Sequence, residues 1–139
     1  MAWLYFILTC LYCGTIAWLS GQSDPPVPSE LFPHWDKVMH VSAFGLMTVL
    51  VLLGLLRSKI RYSRVALFLL PVLFTVGFGL TDEFHQSFTP GRNVDVLDIV
   101  SDTTGALLAQ AWYLLSMRSE RWRRFWPPPK PAPEPPDAE

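Results

Sequence analysis

The sequence predicts an all-α, polytopic membrane protein, a bundle of four transmembrane helices with both termini in the cytoplasm. Three observations carry this expectation. Of the 139 residues, 50% are hydrophobic and 17% charged, against roughly 25% charged in ordinary soluble domains. The charges are clustered, so that Ala2–Ser20, Val41–Leu56, Val65–Thr81 and Thr103–Met117 carry none. The basic residues, finally, fall very unevenly between those runs. A helix that crosses the hydrocarbon core needs about 20 mostly apolar residues, and each run reaches that length, or nearly so with its flanking polar turn. A soluble bundle would show a polar stripe along every helix. "FGLMTVLVLLGLL" and "VALFLLPVLFTVGFGL" show none.

The first helix is expected at about 2–20. No basic residue precedes its apolar run and no small-x-small cleavage site follows, so it reads as an uncleaved anchor. Cys10 and Cys13 form a C-x-x-C inside it, but no positive partner is at hand to activate a thiolate. They read as small apolar packing residues. An outward loop spans 21–35. The second, third and fourth helices are expected at about 37–56, 65–86 and 96–117, within a core domain of 36–117. The remainder, 118–139, is basic and then Pro-rich. "PPPKPAPEPPDAE" cannot continue a helix and reads as an extended, solvated segment.

Basic residues set the orientation, since loops rich in Lys and Arg stay cytoplasmic. Arg57, Lys59, Arg61 and Arg64 lie between helices two and three. Arg118, Arg121, Arg123, Arg124 and Lys130 lie in the tail, and only Lys37 and Arg92 lie on the opposite side. Both termini are therefore expected in the cytoplasm, with 21–36 and 87–95 facing outward. Trp18, Trp35, Trp112, Trp122 and Trp126 fall near the interfaces, where aromatic belts are expected.

This topology sharpens an oddity. "GLTDEFHQSFTPGRNVDVLDIVSDTTG", residues 79–105, packs Asp82, Glu83, His85, Gln86, Arg92, Asp95, Asp98 and Asp102 between two apolar runs. All lie toward the outer face, together with Asp36, Lys37 and His40. Intramembrane ionisable residues are costly and usually face the bundle interior. Spacings of three and four align them on helix faces: Asp36, Lys37 and His40 on helix two, Asp82, Glu83 and Gln86 on helix three, and Asp95, Asp98 and Asp102 on helix four. Gly105 and Ala109 extend the last stripe, as close helix packing requires. Three polar faces are expected to meet in one outward-opening pocket.

Asp95 and Asp98 fit the positive end of the helix-four dipole. Asp102 lies about 10 Å along that helix, too deep for capping. Asp82 and Glu83 lie near the end of helix three, where the dipole opposes their charge, so they need a cation, a donor or a proton. Arg92, Lys37 and His40 are the partners available, and Glu83 with Arg92 is the expected pair. His85 lies on another face from Glu83, and Phe84 and Phe88 read as packing or interfacial. Six carboxylates face Lys37 and Arg92. A bare phosphate would not choose so acidic a pocket without a metal. Oxygen-rich ligands with an imidazole suit a divalent metal, although no H-E-x-x-H motif is present.

"DKVMHVSAFG", "DEFHQSFTPGR" and "DVLDIVSDTTGALL" resemble, in order and spacing over about residues 36–116, the VanZ-like family of small bacterial membrane proteins. The family commonly carries Asn where this chain has Asp102, so an acid replaces an amide. The resemblance implies a helical protein of the bacterial cytoplasmic (inner) membrane. The founding member of that family is associated with low-level resistance to the glycopeptide teicoplanin, through a reaction the family does not define.

Three readings of function follow. The first is a binding or accessory protein of the cell envelope. The second is an intramembrane hydrolase or transferase acting on a lipid-linked or phosphate-bearing envelope substrate. In that reading His40 or Glu83 is the general acid–base, and Asp98 and Asp102 are metal ligands. Asp36, Lys37, Asp82, Gln86, Arg92 and Asp95 would bind substrate. The third is a purely structural polar network. The expected partners are membrane lipid and a lipid-linked envelope precursor, with no nucleic acid, and a divalent metal is the candidate cofactor.

Overall fold

The computed structural model describes residues 2–23 and 33–127. The outer part of the 21–35 loop and the Pro-rich tail beyond 127 lie outside the described residues. The described residues are all-helical, with no strand among them. The order is α1 (Ala2–Ser20), α2 (Trp35–Arg57), α3 (Arg64–Gln86), α4 (Val96–Ser116) and the short α5 (Glu120–Arg123). The four long helices fall within two residues of their expected bounds. The turn α5 was not expected from the sequence.

Three helices, α1, α2 and α3, are long and apolar enough to cross a membrane. α4 is long enough at 21 residues but falls short in hydropathy. The cause is its polar stripe, and that stripe is turned inward. Asp98, Ser101, Asp102 and Gln110 are buried, while Leu97, Val100, Leu107, Leu108, Leu114 and Leu115 are exposed.

α2 is central. It packs most extensively against α4, and also against α1 and α3. Small residues let α2 and α4 approach this closely. A Cβ on Gly45 would stand 3.2 Å from Gly105 O, and one on Gly105 would collide with Val41 O. The buried stripe of α4 continues from Gly105 through Ala106, which is wholly buried. Ala109, the expected continuation, is only half-buried. Close approach at Gly105 turns the helix so that the 106–110–113 edge faces inward.

Pro71 lies inside α3 and is buried. A proline there removes an intrahelical hydrogen bond, leaving the carbonyl four residues earlier without its donor. That carbonyl belongs to Leu67, and Gln110 Nε2 on α4 donates to it at 3.2 Å. An otherwise orphaned backbone group thus becomes a link between helices. Thr48 and Thr75 hydroxyls join α2 to α3 at 2.9 Å.

An apolar cluster of Leu52, Leu56, Leu67, Tyr113 and Trp126 closes the end nearer the basic loop. Trp126 is 5% exposed, its Nε1 donates to Ser116 Oγ at 2.7 Å, and its ring meets those of Trp112 and Tyr113. It is a packed residue and not part of an interfacial belt. The turns of α5 fold the chain back and bring it there.

Candidate polar site

The opposite end of the helices carries the ionisable residues. Lys37, in the first turn of α2, aims its ammonium at three carboxylates: Asp36 at 3.0 Å, Asp95 at 2.5 Å and Asp98 at 2.7 Å. Asp95 is the N-cap of α4, and its Oδ1 accepts from Leu97 N at 2.8 Å. Its own backbone N donates to Glu83 Oε2 on α3 at 2.9 Å. One residue therefore ties the starts of α2 and α4 to the end of α3. The hydrogen bond from Lys37, with that from Leu97 N–H, holds the Asp95 carboxyl below the usual carboxylate range.

One turn further into α2, His40 Nδ1 lies 2.8 Å from Asp102 Oδ1 and Nε2 lies 3.5 Å from Asp98 Oδ1. The imidazole stacks on buried Phe44, the rings 10° from parallel. Asp102 is almost fully buried. Its place is left open by Gly79 on α3, where a Cβ would stand 2.6 Å from Asp102 Oδ2. Asp102, expected as a metal ligand, is instead within hydrogen-bond distance of His40.

α1 supplies a residue that the sequence reading left out. Ser20 Oγ donates to Asp82 Oδ1 at 2.5 Å, and Gln86 Nε2 donates to Asp82 Oδ2 at 3.0 Å. Asp82 is 3% exposed, and each of its carboxylate oxygens accepts a hydrogen bond. Ser20 ends an apolar run and nothing local in the sequence distinguishes it.

The expected Glu83–Arg92 pair does not form. Glu83 Oε2 takes the Asp95 N–H, and Oε1 is buried without a hydrogen-bond partner. Arg92 Nε donates instead to Gln22 O, at the end of α1, at 3.3 Å. The turn through Pro90 and Gly91 is responsible. Gly91 takes φ 82°, which favours glycine, and Arg92 N bonds back to Thr89 O. That reversal carries Arg92 toward α1 and returns Asp95 to Glu83. His85 is exposed, as are Phe84 and Phe88, whose rings meet edge-on.

Lys37, His40, Glu83, Asp95, Asp98 and Asp102 are therefore one connected cluster. Arg92 shares only its edge, on the wall of a cavity of about 150 Å³ between α1, α2 and α3. Ser20, His40, Asp82, Gln86 and Arg92 form the polar side of that cavity, and Ile16, Leu19, Met39, Ala43 and Phe44 the apolar side. Among the described residues no group of three or more His, Cys, Asp or Glu is arranged to hold a metal. Asp98 engages Lys37 and Asp102 engages His40.

The VanZ/LLP1 family model matches residues 3–117. The chain belongs to this family. The match takes in α1 as well as the three motif-bearing helices, in keeping with the contribution of Ser20 to the polar cluster. No curated protein and no solved structure matches the chain.

Proposed function

We propose that this VanZ/LLP1 protein binds the head group of an envelope lipid or lipid-linked precursor at its polar end. In this reading the protein resides in the bacterial cytoplasmic membrane. All four long helices cross it, both termini are cytoplasmic and the site faces outward. The observation that carries the reading is the two-sided cavity. Alkyl chain suits Ile16, Leu19 and Met39, and a polar head suits His40, Gln86 and Arg92. Nine of eleven basic residues on one side support the orientation. Ligand occupancy at such a site gives the family's association with teicoplanin resistance a physical route, through altered access to a lipid-linked precursor.

The test is extraction of lipid from the purified full-length protein, identified by mass spectrometry, beside His40→Ala and Arg92→Ala. Enrichment of one envelope lipid or lipid-linked precursor over the bulk membrane, lost in both variants, is the expected result. A lipid profile identical to the bulk membrane overturns the proposal. Reporter fusions after residue 139 and within 57–64 should both report cytoplasm.

A second reading rests on the His40–Asp102 pair. A carboxylate that fixes one imidazole nitrogen leaves the other to take or give a proton, and His40 faces the cavity. The same geometry serves hydrolysis of a phosphate-bearing head group by an activated water. Phosphate release from a lipid pyrophosphate, abolished by His40→Ala in a folded protein, distinguishes this from binding alone.

A further inference from the structure

A second recess opens at the other end of the molecule and shares no residue with the polar cavity. It is a crevice of about 850 Å³ between α1 and the α2–α3 pair. Trp3, Phe6, Leu50, Val51, Phe74 and Phe78 form much of its wall. Cys10 and Cys13 also line it, both as free thiols, so they bound an open recess and do not pack between helices. No carboxylate lines it.

Arg57, the last residue of α2, lies beside this crevice, next in the chain to Ser58, which lines it. Its guanidinium carbon lies 4.6 Å over the ring of Tyr5, a wall residue. Its Nη1 is buried and has no hydrogen-bond partner. Among the described residues no carboxylate pairs with Arg57. A buried charged donor left unbonded costs more than a neutral one, and Arg57 as a whole is only half-buried, so its guanidinium can still meet an acceptor. Lys59, Arg61 and Arg64 follow at once in the chain and are exposed.

We propose that this crevice binds an anionic phospholipid, with one acyl chain between α1 and α2–α3 and the phosphate on Arg57. Guanidinium and phosphate form strong charge-assisted hydrogen bonds. Basic pockets between membrane helices recognise anionic head groups in this way. Charge decides against a zwitterionic lipid, because its ammonium would find basic side chains and no carboxylate there.

The experiment is native mass spectrometry of the full-length protein released from membranes holding equal phosphatidylglycerol and phosphatidylcholine with identical chains. The wild type should retain phosphatidylglycerol in preference. Arg57→Met should reduce that preference about fivefold, the effect of one lost basic contact. Gly54→Phe keeps the guanidinium and fills the crevice. A Cβ at Gly54 meets only Tyr5 Cβ, at 3.5 Å, an ordinary contact, and retained lipid should fall. Should Arg57→Met fail to fold, Gly54→Phe carries the test alone. Equal retention of the two lipids by the wild type overturns the proposal. So does a preference unchanged by Arg57→Met, or retention unchanged by Gly54→Phe.

Discussion

The two ends of the molecule are held together by different forces. At the polar end, Lys37 joins three carboxylates, Asp95 bridges three helices and Asp82 accepts a hydrogen bond at each carboxylate oxygen. At the basic end, Leu52, Leu56, Leu67, Tyr113 and Trp126 pack by shape, with single hydrogen bonds from Gln110 and Trp126. Lipid is as apolar as leucine, so the hydrophobic effect does not drive helices together within a bilayer. The basic end therefore depends on close fit. The polar end depends on paired charges, of which Asp98 and Asp102 are buried among the helices. Its stability is conditional on every partner being present.

The largest expected effect comes from removing the hub of the polar end. Lys37→Met leaves Asp36, Asp95 and Asp98 facing one another with no cation. Breaking a buried ion pair from one side costs about 3–5 kcal/mol, and partial exposure of Asp36 and Asp95 places this loss near the lower figure. Thermal unfolding of the detergent-solubilised protein measures it. The double change Lys37→Met with Asp98→Leu should lose less than the single one, because the most buried of the three acids goes too. A single-variant loss within experimental error would show that the cluster contributes nothing to holding the helices.

The basic end should respond more weakly. Leu52 is 1% exposed, and Leu52→Ala opens a cavity among close-packed neighbours. In water such changes cost about 2–5 kcal/mol. Here the transfer part is reduced by the apolar surroundings and the cavity part remains, so about 2 kcal/mol is expected. A loss larger than that of Lys37→Met would reverse the comparison between the ends.

How much of this was legible in the sequence follows the same division. The long helices were legible because uncharged runs of membrane length have few other uses. The polar faces of α2, α3 and α4 were legible because three- and four-residue spacing is fixed by helix geometry. That Lys37, His40, Asp98 and Asp102 would converge followed from it. The Glu83–Arg92 pairing failed because nine residues of loop separate α3 from α4, and the left-handed Gly91 turn chose a path that spacing cannot give. Ser20 was missed because a lone hydroxyl at the end of an apolar run has no pattern. Trp126 was misassigned because a tryptophan beside basic residues has the composition of an interface. Only the fold of α5 shows that it turns inward.

Gln110 offers a finer test of the basic end. Gln110→Leu removes the donor to Leu67 O and should cost about 1 kcal/mol, the net worth of one hydrogen bond. Pro71→Ala restores an N–H that can reach the same carbonyl within α3. The double variant should then recover the loss, again measured by thermal unfolding. Absence of rescue would mean that Gln110 acts through packing and not through the carbonyl that Pro71 leaves free.

The smallest effect is a pH dependence at Asp95, the half-exposed outer rim of the polar end. Its carboxyl is held below the usual range, first by Lys37 and then by Leu97 N–H. The group is thus more acidic folded than unfolded, and its stabilisation is complete above the ordinary carboxylate value of 3.8. It is lost as pH falls through the lower folded value, since below it both states hold the proton. Asp95→Asn keeps a side-chain oxygen for the helix cap and removes the charge. The gap in unfolding temperature between wild type and Asp95→Asn should therefore stay constant from neutral pH down to about 5 and close below 3.8. In a Lys37→Met background the carboxyl loses its principal stabiliser, so the gap should be smaller at neutral pH and be fully closed at a higher pH. A gap independent of pH in both backgrounds would mean that Asp95 serves only as a cap and that the charge of Lys37 is spent on Asp98.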